Sequence, residues 1–328
     1  MSFAGGGTDV PPFPATEGGL VLNATINRYA YGTLVPRDDS YIEIESLDFG
    51  LAIGYGVGDS LDFDGDLDLV KAAIRNVGPA PTRGFDLVLR SSAPPGSGLG
   101  SSSAMTVALV GLLKEYHRLP LTDDEIAHRA YLVERTELGI RGGLQDHFAA
   151  TFGGFNFIEF EKDRVVVNPL RVPGDTINEL EHNSLLCYTG VTRPSDRIIE
   201  DQTSRLEREA DALQSLRRQK EFAVEMKTAL LAGRLTAFGE LLGHAWETKK
   251  RLSPRISSPF IETVYEEACK SGALGGKVTG AGGGGYMLFY CDHRRRHRVA
   301  EALERLGAHV TDFAFEPRGL QTWRVHEG

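Results

Sequence analysis

The chain has 328 residues, 41% hydrophobic and 25% charged, so it can bury a sizeable core without disulfide or metal staples, and its length predicts about two domains. With 36 Lys and Arg against 45 Asp and Glu, the net charge is −9, which argues against general affinity for nucleic acid or anionic membrane. The longest nearly apolar stretch, Met105 to Leu113, is about half the roughly 20 residues of a membrane helix. No basic start followed by an apolar block marks a signal peptide, and Cys187, Cys269 and Cys291 form no CxxC pair. A cytoplasmic protein with reduced thiols is the expectation.

In chain order, 21–35 carries β-branched and aromatic residues without a helical period, and 41–47 alternates with acidic residues outward. A short helix is predicted over 67–77, a strand over 85–90 and a buried helix over 105–117. A second helix over 122–137 opens on a capping signal, Thr122 with Glu125 three residues on. Segments 155–160 and 164–167 read as a hairpin, and 184–188 as a short apolar strand. A long charged amphipathic helix is predicted from about 203 to 231, with more helix at 235–250 and 259–271. A strand at 285–290 and a helix over 294–306 precede the final strands. The pattern predicts an α+β fold in two parts, 1–178 and 179–328.

Glycine is the unusual number, 38 residues, and it is clustered. The central cluster runs from Pro94 and Pro95 through Gly96, Ser97, Gly98, Leu99, Gly100, Ser101, Ser102 and Ser103, with a strand leading in and an apolar helix leading out. Such a loop turns successive N–H groups into one concavity at a helix N-terminus, an anion site suited to a polyphosphate. No Lys follows the glycines, so it is not a Walker loop, and Ser101 occupies the third glycine position of a dinucleotide fingerprint. A tight turn with a serine N-cap is the plainer reading. Gly5, Gly6, Gly7, Thr8 and Asp9 suggest a turn where backbone meets substrate, against a merely flexible terminus. The third cluster, Gly280 to Gly285, precedes an apolar strand and is suited to closing over a phosphate loop.

Two acidic residues stand out. Glu134 suits Mg²⁺ opposite a serine hydroxyl, since that ion takes hard oxygen ligands; a surface ion pair is the plainer reading. Asp146 follows Gly142 and Gly143, where a small substrate can come close, and is placed to orient or deprotonate a hydroxyl; a helix N-cap is the alternative. The His293 to His297 spacing is read as a solvated helix start, because the intervening arginines repel a cation. Trp246 beside Lys249, Lys250 and Arg251 is read first as a core residue next to a basic turn.

Taken together, PPGSGLGSSSA, GGLQDHFAA and KVTGAGGGGYMLFY resemble, in order, the three motifs of the GHMP kinase superfamily. Within it, SFAGGGTDVPPF and AWETKKRLS look most like the D-glycero-α-D-manno-heptose 7-phosphate kinases. The resemblance implies a ribosomal-protein-S5-like N-terminal domain, a ferredoxin-like C-terminal domain and a site between them. It implies ATP and Mg²⁺ as cofactors and a small sugar phosphate as substrate, phosphorylated on its anomeric C1 hydroxyl on the route to GDP-heptose for surface polysaccharide. A kinase of an unphosphorylated sugar such as fucose is the alternative on the same fold, and a homodimer is compatible with either. By the same resemblance, Pro95 to Ser103 would wrap the ATP phosphates, Ser102 and Glu134 would hold the metal, and Asp146 would face the reacting hydroxyl, as base or as positioning group. Gly6, Gly7, Thr8, Asp9, Gly142, Gly143, Gly282 and Gly283 would meet the substrate, with Gly282 to Gly284 bracing the phosphate loop. Arg193, Arg197, Lys249, Lys250 and Arg251 are candidates for a cationic subsite that takes the acceptor phosphate. Relatives of this kind usually carry a basic residue two positions before the serine that is Ser2 here, a position immediately ahead of Met1.

Overall fold

The computed structural model describes residues 1–192, 195–206 and 208–325. Three four-stranded sheets carry the fold. The first joins β1 (Ser2–Ala4), β2 (Gly19–Ala24), β7 (Phe155–Phe160) and β8 (Val165–Pro169), antiparallel throughout. The second runs β3 (Ala30–Pro36), β6 (Phe85–Ser91), β4 (Tyr41–Ser46) and β5 (Leu51–Gly56), with β4 and β6 parallel. The third runs β10 (Ala273–Val278), β11 (Tyr286–Cys291), β9 (Ser184–Tyr188) and β12 (His309–Thr311). Period-two patterning explains β4, where Ile42, Ile44 and Ser46 point inward and the residues between them outward. β11 is buried at every position, as its unbroken apolar sequence requires.

Helices α1 (Phe13–Glu17) and α2 (Asp68–Asn76) precede α3 (Ser101–His117), which packs on β3 and on α4 (Asp123–Tyr131) and α5 (Gln145–Phe152). The predicted capping box opens α4: Glu125 N–H donates to Thr122 Oγ1, and Thr122 N–H to the Glu125 carboxylate at 2.8 Å. In the second half come α6 (Gly174–Asn183), α7 (Ser195–Leu206), α8 (Ala210–Leu231), α9 (Leu235–Lys250), α10 (Pro259–Ser271) and α11 (Arg296–Arg305).

Two departures from the sequence pattern shape the site. The helix expected over 122–137 changes character at Leu132–Glu137, where one π-helical turn follows α4 and carries Glu134 inward. The single helix expected from 203 to 231 is broken between α7 and α8, where Glu209 is extended. Helix propensity favours continuation there, but the break lets α7 fold back over the glycine turn, bringing Gln202 to Gly7.

The boundary expected near 178 falls inside α6, yet the halves share a core. Phe3 and Leu22 of the first sheet pack with Phe222 and Met226 of α8, Phe238 of α9 and Leu288 of β11. The last described residues return to the first half: Ile26 pairs with Phe315, and Leu320 lies against Gly111 of α3. Among the described residues no helix is long and apolar enough to cross a membrane.

Candidate active site

The central glycine loop winds through left-handed backbone at Gly96, Gly98 and Gly100 (φ +72°, +77° and +74°), a path that L side chains rarely take. It delivers the chain to the start of α3, where no side chain caps the first turn, so the N–H groups there remain available to an anion. Ser97 is fully buried, and its carbonyl accepts from Tyr286 N–H at 3.0 Å. Leu99 leans on the core shared by the two halves, Ser102 is exposed, and Ser103 is buried.

The third glycine cluster does close on this loop, though not through the residues expected. A Cβ on Gly280 would stand 2.9 Å from Gly98 Cα, and one on Gly285 only 2.2 Å from the Ser97 carbonyl oxygen. Gly282 and Gly283 instead turn against Ile256, whose carbonyl accepts from Gly283 N–H at 2.7 Å, and Gly284 approaches the Val191 carbonyl. The bracing role assigned to 282–284 therefore moves to Gly280 and Gly285, because those are the positions where the two backbones touch.

Asp146 sits in the first turn of α5, and a Cβ on Gly100 would lie 3.1 Å from its carboxyl carbon. The carboxylate thus abuts the last glycine of the loop. Behind it, Asp9 is fully buried and accepts Gln145 N–H at 3.0 Å, Gln145 Nε2 at 3.2 Å and Gly7 N–H at 3.1 Å. Burial raises the Asp9 pKa, the backbone bond from Gln145 lowers it, and Asp146 raises it again. Asp9 therefore caps α5 from 136 residues away and fixes the turn that bears Asp146.

Other residues expected to meet substrate are committed to the protein's own structure. Thr8 is buried, and its hydroxyl donates to the Gly5 carbonyl at 2.7 Å and accepts Leu20 N–H at 3.0 Å, which leaves no donor for a sugar. Gly142 makes room for the Arg135 guanidinium, and Gly143 for the Asp9 carboxylate. Gly6 alone of these faces a polar space, near Ser2 Oγ, Gln145 Nε2 and Lys249 Nζ. Gly7 contacts Leu216 and Gln202. Arg193 lies outside the described residues, and Arg197 and Arg251 are exposed. Lys250 is paired with Glu247 at 2.9 Å and Glu262 at 2.8 Å.

Glu134 is 1% exposed. Its Oε2 accepts from Ser103 Oγ at 2.9 Å and lies 2.7 Å from His147 Nε2; its Oε1 lies 3.3 Å from Arg135 Nη1. Burial alone would raise its pKa, but the bond and charge of His147, then Arg135, then Ser102 outweigh it and bring it to about 2. The carboxylate is thus ionised, with the exposed Ser102 hydroxyl beside it.

Lys249 is not on the surface with its neighbours. It is 3% exposed, its amine donates to the Gly280 carbonyl, and burial lowers its pKa to about 8 against the opposing pull of Asp9 and Asp146. Lys277 of β10, unassigned from sequence, is equally buried and donates to the Ser2 carbonyl at 2.8 Å. Its signal in the sequence was a lone charge inside an otherwise small and apolar strand. Trp246 is fully buried, as the plainer reading had it, and His293, Arg294, Arg295 and His297 are exposed.

Residues 68–154 match the GHMP kinase N-terminal domain and residues 226–309 the GHMP kinase C-terminal domain. Over 99% of its length the chain is 38% identical to D-glycero-alpha-D-manno-heptose 7-phosphate kinase of Campylobacter jejuni, covering 97% of that protein. The chain belongs to the GHMP kinases. Its fold superposes on the crystal structure of a D-glycero-D-manno-heptose 1-phosphate kinase from Bacteroides thetaiotaomicron with a TM-score of 0.84 and 35% identity, covering 100% of this chain and 97% of that one. It is also 28% identical to L-fucokinase/L-fucose-1-P guanylyltransferase of Bacteroides fragilis over 97% of this chain but 36% of that protein. This kinase uses ATP to phosphorylate a sugar.

Proposed function

We propose that this kinase transfers the γ-phosphoryl group of ATP to the C1 hydroxyl of D-glycero-D-manno-heptose 7-phosphate, giving the 1,7-bisphosphate on the route to GDP-heptose. One observation carries the reaction type: the Asp146 carboxyl lies directly against Gly100 of the phosphate loop. A hydroxyl held by Asp146 is thereby in line for a phosphate cradled by the loop and the α3 N-terminus. As the bond from phosphorus to the acceptor oxygen forms, the bond to ADP breaks and the hydroxyl proton passes to Asp146. The acceptor rests on the Campylobacter jejuni relative, matched over nearly the whole of both chains. Fucose fits less well, since the fucokinase relative is less similar and this chain spans about a third of it.

Two oxygens suit a hard divalent cation: the ionised Glu134 carboxylate and the exposed Ser102 hydroxyl. Mg²⁺ takes few protein ligands and completes its shell with phosphate oxygens and water, so this pair fits it. When bound, it would neutralise charge on the β- and γ-phosphates. His147 and Ser103 fix the Glu134 carboxylate.

The names of the two heptose kinase relatives differ in which end of the acceptor already bears phosphate. Phosphorus NMR separates them. With heptose 7-phosphate as acceptor, a new anomeric phosphate resonance coupled to H1 is expected. Consumption of heptose 1-phosphate instead, with a new resonance coupled to the C7 methylene, would overturn the assignment.

A further inference from the structure

Lys249 and Lys277 come from different elements, the last turn of α9 and the middle of β10, yet their amines approach one place. Lys277 Nζ is anchored on the Ser2 carbonyl and Lys249 Nζ on the Gly280 carbonyl. A Cβ on Gly6 would lie 3.3 Å from Ser2 Oγ and 3.8 Å from Lys249 Nζ. Both residues are 3% exposed. Among the described residues neither makes an ion pair, and each amine donates to a single backbone carbonyl, leaving further N–H groups on each to donate. The contrast is Lys71, just as buried but held by Asp64 and by Asp68.

Buried cations are ordinarily paired, because an isolated one is costly in low dielectric. Burial, then the neighbouring Lys249, drives the Lys277 pKa well below its ordinary value, and Asp146 only partly restores it. An anion between the two amines removes that penalty. Gly280, which anchors Lys249, also touches Gly98 of the phosphate loop, while Asp146 acts on both lysines from beside Gly100. The unpaired amines therefore lie beside both the loop and the carboxylate proposed to face the acceptor hydroxyl.

We propose that Lys249 and Lys277 form a two-lysine cradle for the phosphoryl group in transit, stabilising its equatorial oxygens as the bond to ADP breaks and the bond to the acceptor oxygen forms. This rests on the kinase reaction at Asp146 but not on the identity of the acceptor. It takes Lys249 away from the role of acceptor-phosphate subsite, since a 7-phosphate lies across the sugar from the C1 hydroxyl that Asp146 faces. Charge in such a transition state spreads over three equatorial oxygens, which two ammonium groups and a helix N-terminus can meet together.

The test compares Lys277→Met, Lys277→Arg and Lys249→Met with the parent. Expected for Lys277→Met is a kcat lower by about 10²-fold with the acceptor KM unchanged, the loss typical of one removed transition-state donor. By calorimetry with Mg²⁺ and no acceptor, its preference for a non-hydrolysable ATP analogue over ADP should shrink, while Lys277→Arg retains part of both. Removing a buried amine that no ion pair compensates should also raise the melting temperature. Three results would overturn the proposal: unchanged kcat and nucleotide preference, a rise confined to the acceptor KM, or a lower melting temperature with intact kinetics. If Lys277→Met does not fold, Lys249→Met faces the same criteria. Because the nucleotide measurement contains no acceptor, a wrong heptose assignment would leave its outcome unaffected.

Discussion

Replacing Glu134 with glutamine keeps its shape and removes its charge, leaving His147 at 2.7 Å and Arg135 at 3.3 Å facing a neutral amide. The drop from the usual 4.5 to about 2 gives the magnitude: at roughly 1.4 kcal/mol per pH unit, the folded protein favours the ionised carboxylate by about 3 kcal/mol. The sign follows from linkage. A carboxyl whose folded pKa is depressed adds stability that is fully present above about 4.5 and is lost as pH falls toward 2. Urea unfolding of the parent and Glu134→Gln, followed by tryptophan fluorescence, should therefore differ by about 3 kcal/mol at pH 7, and more than half of that difference should be gone by pH 3. Equal stabilities at pH 7, or a difference of the same size at both pH values, would refute the view that His147 and Arg135 hold this carboxylate ionised.

Gly285→Ala forces a Cβ to within 2.2 Å of the Ser97 carbonyl oxygen at φ +82° and strains the bond from Tyr286 N–H. Gly307→Ala has the same φ with nothing within 4 Å, so it carries the backbone cost alone. The first should destabilise by about 3 kcal/mol and raise the KM for ATP; the second should cost about 1 kcal/mol with kinetics intact. Equal effects on stability and KM would show that the two glycine motifs do not depend on their contact. For Lys249 the sign is reversed. Its folded pKa of about 8 lies below the ordinary 10.5, so its cost is full below pH 8 and falls away between 8 and 10.5, where only the unfolded chain keeps the proton. Lys249→Met should thus be more stable than the parent by about 3 kcal/mol at pH 7, the gain shrinking above pH 8 in parallel unfolding curves. A gain that does not shrink would contradict this.

Much of the fold was legible because local signals agreed with the tertiary outcome. Thr122 and Glu125 cap α4 as their spacing requires, the hairpin of β7 and β8 pairs as its apolar runs suggest, and the central glycine loop joins a strand to an apolar helix. The glycine clusters stood out in the sequence, but their contacts did not, because which glycine meets which backbone depends on a seam between distant segments. That is why Gly280 and Gly285, rather than Gly282 to Gly284, are the glycines that meet the loop. The π-helical turn at Leu132–Glu137 has no signature in single-residue propensities, so how Glu134 is carried inward could not be read, although a serine hydroxyl opposite it was expected. Thr8 and Asp9 look in sequence like sugar-binding groups, yet a fully buried hydroxyl and carboxylate must find partners at once and find them in the backbone. Lys277 was missed for the opposite reason, since an isolated lysine ordinarily marks a solvent-facing position.

The most direct test of the central claim is ADP release with Mg-ATP against a panel of heptose 7-phosphate, mannose 6-phosphate, mannose, fucose and galactose, with Asp146→Asn as the blank. Turnover on the heptose phosphate alone, abolished in the variant, is the predicted result. Equal turnover in the variant, or turnover on an unphosphorylated sugar in place of the heptose phosphate, would contradict the account.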